Sequence, residues 1–364
     1  MDNFTPVQKS HIWLNSFEDL TNKNYNLLMQ RFGSSVDIVK SFVKEKGFIE
    51  PLLGAVLYNK MCCNLSGDYL YPKLLKLQKS NINVITAEDN NYPQDLLQFD
   101  DRPFLLYTLG NIMLLNTPMV TVVGSRKCTR YGIEQTAEIV KGLSGYGFTI
   151  VSGLAEGIDT KANSTALEKG KTVAVLAGGF DCVYPKSNLK LFEKIKENGL
   201  LISQYPPEKS AMPYMFPLRN RIMSAISCAT VLVEAGESSG ALITANLSLN
   251  LGKELFILPG NVNSCSSKGS NKMLKEMQGA MITGYKDILQ GLGIEIKDIN
   301  ENCAVLPDLT EDERVIYNML SREEEHIDDI INKTGFDISK TNTVLTILEI
   351  KGLIKKLPGN RFGI

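Results

Sequence analysis

Three turns in the middle of the chain carry the residue types that hold phosphate. Gly124-Ser125-Arg126 joins a run of β-formers, Val120-Thr121-Val122-Val123, to a helical pattern that opens near Thr129. Glycine lets the backbone approach an anion, serine offers a hydroxyl, and arginine presents a planar fork. Phe216-Pro217-Leu218-Arg219-Asn220-Arg221 sets two arginines around one asparagine at a helix start. Positions i and i+2 of a helix point about 200° apart, so one arginine reaches a site while the other braces a loop or a carboxylate. Ser238-Ser239-Gly240 opens a third helix after Thr230-Val231-Leu232-Val233 and forms a further anion cradle. Ser152-Gly153 closes the run Thr149-Ile150-Val151 in the same way. Lys186, after Tyr184-Pro185, and Lys272 add cations to the same edge.

The turns lack the G-x-G-x-x-G of dinucleotide binding and the G-K-[ST] of nucleotide hydrolysis. The only histidines are His11 and His326, and no His/Cys cluster has zinc spacing. Asp159 reads as a helix cap, with Glu156 as a conceivable second carboxylate. The pattern suits holding phosphate rather than breaking bonds, with no catalytic residue, cofactor or metal expected.

These turns need a frame. Strands are predicted near 119–123, 148–152, 172–176, 200–204, 230–234 and 254–258, with 103–110 as an extended entry. Helices are predicted near 130–144, 159–169, 188–198, 219–227, 239–251 and 271–277. Such alternation means a parallel sheet covered on both faces, with ligands beyond the carboxyl ends of its strands. Residues 1–83 read as helical: Ile12, Leu14, Phe17 and Leu20, then Leu27, Leu28 and Phe32, recur at three- to four-residue steps. The sheet domain spans 84–293 and a linker 294–308. In the tail, 309–364, Thr310 and Glu313 form a capping box, two more helices follow, and Pro358-Gly359-Asn360 turns a wing.

Charge places limits on partners. The net charge is −1, with 10 basic and 7 acidic residues in 1–83 and 8 basic and 11 acidic in 305–364. A nucleic-acid site must be a local patch, not a global field. The tail offers only Lys340 in its third helix, and Lys355, Lys356 and Arg361 in the wing; this favours protein docking over duplex reading. Seven cysteines without a C-x-x-C pair, no signal peptide and no apolar run of membrane length point to a cytosolic protein.

Seven motifs in order resemble the DNA processing protein A family (DprA, also called Smf): Val123 to Arg126, Ser152 to Asp159, Val175 to Gly179, Tyr184 to Asn188, Phe216 to Arg221, Ser239 to Ala245, and Pro259-Gly260. The resemblance covers nearly the whole chain. It implies an α/β fold: an extended Rossmann-type parallel sheet flanked by a sterile-alpha-motif-like helical head and a winged-helix tail. It also implies a non-enzymatic homodimer that binds and protects single-stranded DNA and loads the RecA recombinase during natural transformation. Carried over by position, Arg126, Lys186, Arg219 and Arg221 would line the DNA groove. Glu156, Asn163 and Gln204 stand where the family often has Arg, His and Glu. Phe180, Tyr184, Tyr214 and Phe216 lie in loops near strand ends and could stack on bases. The alternative is a nucleotide-processing enzyme of the nucleoside monophosphate phosphoribohydrolase kind; Glu234 follows the fifth strand as that reading asks, but the turn after it reads Ser-Ser-Gly, and Gly-Gly stands at 178–179.

Overall fold

The computed structural model describes residues 4–296, 309–320 and 324–363; residues 297–308 of the expected linker lie outside them. The chain forms two compact units, Met1–Glu295 and Ile296–Ile364.

The first unit opens with six helices, α1 Pro6–Asn15, α2 Asn22–Phe32, α3 Ser35–Ser41, α4 Lys46–Leu53, α5 Ala55–Cys63 and α6 Gly67–Lys79. Helix α1 starts on a reciprocal cap: Gln8 N–H donates to Thr5 Oγ1, and Thr5 N–H to Gln8 Oε1. Its apolar stripe, Ile12, Trp13 and Leu14, is buried. That stripe is continuous with Leu105, Tyr107 and Leu201 of the sheet, so head and sheet share one core.

The sheet has nine strands: β1 Asn83–Thr86, β2 Leu105–Gly110, β3 Met119–Val123, β4 Thr149–Ser152, β5 Lys171–Val175, β6 Leu200–Ser203, β7 Ala229–Leu232, β8 Glu254–Ile257 and β9 Ala280–Met281. Their order is β1-β2-β6-β5-β4-β3-β7-β8-β9. Strands β3 to β9 run parallel, and β1 and β2 add an antiparallel edge to β6. Between them run α7 Arg130–Gly145, α8 Ile158–Lys169, α9 Leu189–Asn198, α10 Met215–Ile226, α11 Gly240–Asn250, α12 Lys268–Lys275 and α13 Tyr285–Gly291. Strand β3 is buried along its length, as a central parallel strand must be. Its one polar side chain is satisfied: Thr121 Oγ1 donates to Met223 O at 3.0 Å. Chain order reverses between β3 and β7, which makes their carboxyl ends the switch point of the sheet.

This is the α/β architecture that the strand–helix alternation predicts, and the six predicted strands agree to within a residue or two. Three elements were not foreseen: β1, β9 and α13. Residues 105–110 form a full strand rather than an entry. Strand β9 has two residues, both exposed, and shows no period to read. Helix α10 starts at Met215, ahead of the predicted 219, because Pro217 falls in the first turn, where no N–H is needed.

The second unit contains α14 Glu311–Leu320, β10 Glu325–His326, α15 Ile327–Thr334, α16 Ile338–Ile350, β11 Lys355–Leu357 and β12 Arg361–Gly363. The strands pair in the order β10-β12-β11, the wing of a winged helix. Ile316, Leu320, Ile330, Leu345, Leu348 and Phe362 form its core. The capping box is present: Thr310 N–H donates to Glu313 Oε2 and Glu313 N–H to Thr310 Oγ1. Lys351 Nζ sits 2.8 Å from both Glu313 oxygens and holds that carboxyl below the usual carboxylate range.

Candidate nucleic-acid interface

A cleft of about 520 Å³ opens at the β3/β7 switch point. The Gly124-Ser125-Arg126 turn forms one wall, and Ser239 and Gly240 at the start of α11 form another. Helix α10 crosses it with Phe216, Arg219 and Asn220. Gly124 is there for close approach: a Cβ at that position would stand 2.6 Å from Ile158 Cγ1. The Ser125 amide is already engaged, donating to Glu234 O at 2.6 Å. The Ser239 hydroxyl accepts from Ala241 N–H, leaving the first turn of α11 facing the cleft.

Glu234 has a role that its sequence did not announce. It is buried, and its Oε2 accepts from Thr129 N–H at 2.8 Å, at the N-terminus of α7. A helix N-terminus favours an anion, and this one is filled by the chain's own carboxylate. The glutamate that the nucleotide-processing alternative invoked here caps a helix.

Arg219 and Asp159 form the floor. Arg219 is 4% exposed, and its Nη1 donates to Val175 O at 2.9 Å. The guanidinium lies against Gly153, where a Cβ would fall 1.5 Å from Nη1. Asp159 is buried, and its Oδ2 accepts from Gly153 N–H. Burial lowers the Arg219 pKa to about 10, against the opposing pull of Asp159. Burial likewise pushes the Asp159 carboxyl up, against Arg219. The two are mutual counter-charges, so the accessible positive charge belongs to Arg126 and Lys127, both exposed on the wall.

Along the rim, three motifs far apart in sequence meet. The Arg126 guanidinium lies 5.1 Å from the Phe216 ring centroid. The Tyr184 ring meets Phe216 edge-on at 5.8 Å. Tyr184 and Tyr214 are 55% and 60% exposed, and Lys186, two residues beyond Tyr184, is exposed. A cation and two rings thus follow one another from the wall of the cleft, with Lys186 two residues beyond the second ring in sequence.

Several expected site residues lie elsewhere. Arg221 leaves the cleft on the opposite side of α10, where its Nη1 pairs with Asp101; it is the bracing member of the arginine pair. Ser152 is buried and its Oγ donates to Val122 O at 2.7 Å, while the Gly153 amide is used by Asp159. Lys272 is on α12, is not among the cleft-lining residues, and faces Glu276 one turn on. Phe180 is in the core, not a stacking surface. Asn163 is buried and donates to Thr172 Oγ1, Gln204 is buried, and Glu156 accepts from Ser187 Oγ. Lys127, Cys265 and Ser266 line the cleft without having been foreseen. Lys127 could have been taken with its neighbour Arg126; Cys265 and Ser266 carry no signal in their types or spacing. Among the described residues no group of His, Cys, Asp or Glu is placed to hold a metal, and no helix is long and apolar enough to cross a membrane.

Fold and cleft together define an α/β protein with a cleft at the switch point of its sheet. Comparison with known proteins makes this particular. Residues 83–293 match the family described as DNA recombination-mediator protein A, and residues 304–360 match the DprA winged helix domain. Protein Smf of Escherichia coli K12 is 34% identical over 292 residues, covering 78% of each chain. The X-ray structure of DNA processing protein A from Streptococcus pneumoniae has a TM-score of 0.68 at 29% identity, over 81% of this chain and 99% of that one. DNA processing protein A from Helicobacter pylori, whose structure concerns its single-stranded DNA binding mode, gives 0.53 at 32%, over 58% of this chain and 97% of that one. The chain belongs to the DNA recombination-mediator protein A family, DprA.

Proposed function

We propose that this protein binds single-stranded DNA along the rim and cleft at the β3/β7 switch point, protects it, and delivers it to RecA without catalysing a reaction. The carrying observation is the series Arg126, Phe216, Tyr184. Strand binding without sequence choice needs a cationic track with flat faces for bases, and the rim supplies both. Exposed Arg126, Lys127 and Lys186 would meet phosphates; Phe216, Tyr184 and Tyr214 would meet bases. The H. pylori relative supports the ligand, and the family's description as recombination mediators supports delivery to a recombinase. The two buried ionisable groups lining the cleft, Asp159 and Arg219, are counter-charges whose hydrogen bonds go to the backbone, to Gly153 N–H and Val175 O, which supports a binding rather than a catalytic role.

We further read the protein as a cytosolic homodimer. Helix α11 buries its small residues, Ala241, Thr244, Ala245 and Ser248, and leaves Ile243 42% exposed with Leu242, Leu247 and Leu249 half-buried. An exposed isoleucine among half-buried leucines is an apolar face suited to a partner, and a second copy would cover it. The tail fits protein docking: Lys340, the cation of α16, is held by Asp312 at 2.8 Å, while Ile350 is 80% exposed.

The test is a titration of the full chain with one labelled oligonucleotide, single-stranded and then duplexed. Tighter binding of the single strand is expected. Equal affinity for both forms, or none for either, would defeat the proposal.

A further inference from the structure

The N-terminal half of α10 supplies Phe216, Arg219 and Asn220 to the cleft, but its seat is set by its other half. Arg221, with a side chain 6% exposed, pairs through Nη1 with Asp101, and its guanidinium lies 5.8 Å from the Phe99 ring centroid. At the helix C-terminus Lys253 Nζ donates to Ala225 O and Ser227 O, both at 2.6 Å, and pairs with Asp95 at 2.7 Å. The Lys253 side chain is 12% exposed. Asp95, Phe99 and Asp101 belong to one short segment, residues 94–102. Helix α2 of the head holds that segment from its other side. Asn22 Nδ2 donates to Asp101 O at 2.6 Å and Asn26 Nδ2 to Asp100 O at 2.5 Å.

A nearly buried cation is costly once its carboxylate is removed. Two such cations grip α10, and both carboxylates come from this one segment. The carboxylates themselves are about half exposed, 44% for Asp95 and 58% for Asp101. They can therefore be altered at the surface without opening the core.

We propose that residues 94–102 form an acidic strap that ties the helical head to α10, and that Arg221 and Lys253 are positioning residues of the DNA interface that never touch the strand. The DNA part of this inference rests on the function proposed above.

The decisive variant is Asp101→Asn in the full chain, titrated with fluorescein-labelled oligo-dT of twenty nucleotides at several salt concentrations. A positioning role predicts a Kd raised about 2- to 30-fold, the range of mutations that act through an intervening element. The salt slope stays that of the parent, since no phosphate contact is lost. A strand-contacting Arg221 predicts the opposite sign: freed from its carboxylate, it binds DNA as well or better, and that result overturns the strap. Amide hydrogen exchange provides the readout independent of DNA. Residues 215–226 should exchange several-fold faster in Asp101→Asn while α7 is unchanged; unchanged exchange in α10 also overturns the strap. Faster exchange in a protein whose parent binds no oligonucleotide keeps the strap and removes the DNA reading alone.

Discussion

Replacing Arg126 and Phe216 separately splits the proposed interface into its two physical parts. On the proposed path three exposed cations would border the strand, Arg126, Lys127 and Lys186. Each phosphate neutralised on a single strand contributes about −0.7 to the slope of log K against log salt, so the parent slope should be about −2.1. Affinity then falls about 18-fold between 50 and 200 mM salt. Arg126→Ala removes one contact, giving a slope of about −1.4 and a fall of about 7-fold over the same range. Phe216→Ala removes a ring and no charge; the loss of stacking, about 1–3 kcal/mol, weakens binding roughly 5- to 150-fold at every salt concentration. The assay is fluorescence anisotropy with oligo-dT at four salt concentrations between those limits. The two variants should give lines of different slope and different offset. An unchanged slope in Arg126→Ala, or a Phe216→Ala line as flattened as that of Arg126→Ala, refutes the division of labour between wall and ring.

Two further predictions concern stability. Gly153→Ala drives a methyl group into the Arg219 guanidinium and should cost about 2–3 kcal/mol, read as a lower denaturant midpoint; an unaltered midpoint would show that Arg219 relocates freely. In the tail, Lys351 holds Glu313 ionised below its ordinary pKa, so that stabilisation is complete above the ordinary carboxylate range and disappears as pH falls through the lowered folded-state value. The protection factors of the α14 amides in the full chain, each rate referred to its intrinsic value at that pH, should fall on acidification, and Glu313→Gln should flatten the dependence. An identical pH response in the two proteins would contradict this.

Much of the frame was legible because it is written in short-range chemistry. Val120 to Val123 can only be a doubly covered strand, and Thr310 with Glu313 announces its own cap. Strand–helix alternation pointed to the carboxyl ends of the strands, but the pair that flanks the reversal, β3 and β7, emerges only from the strand order. Side-chain direction was less legible. Helical geometry required Arg219 and Arg221 to diverge, yet only the tertiary position of Asp101 shows which one braces. Ser152 looked like a phosphate ligand because a buried serine and an exposed one are the same letter; its neighbour strand claims it. The role of Glu234 was not legible for a similar reason, since its partner, Thr129, lies 105 residues away.

The plugged mouth of α7 bears on competition inside a cell. Free nucleotides and inorganic phosphate are abundant small anions, and an open helix mouth would draw them in. Here that berth is occupied by a tethered group, covalently part of the polypeptide, which no solute can dilute away. A short ligand then gains little from the remaining contacts, whereas a polymer collects many weak ones at once. On the function proposed above, selectivity for chain length over monomer would begin with a place that the protein keeps for itself.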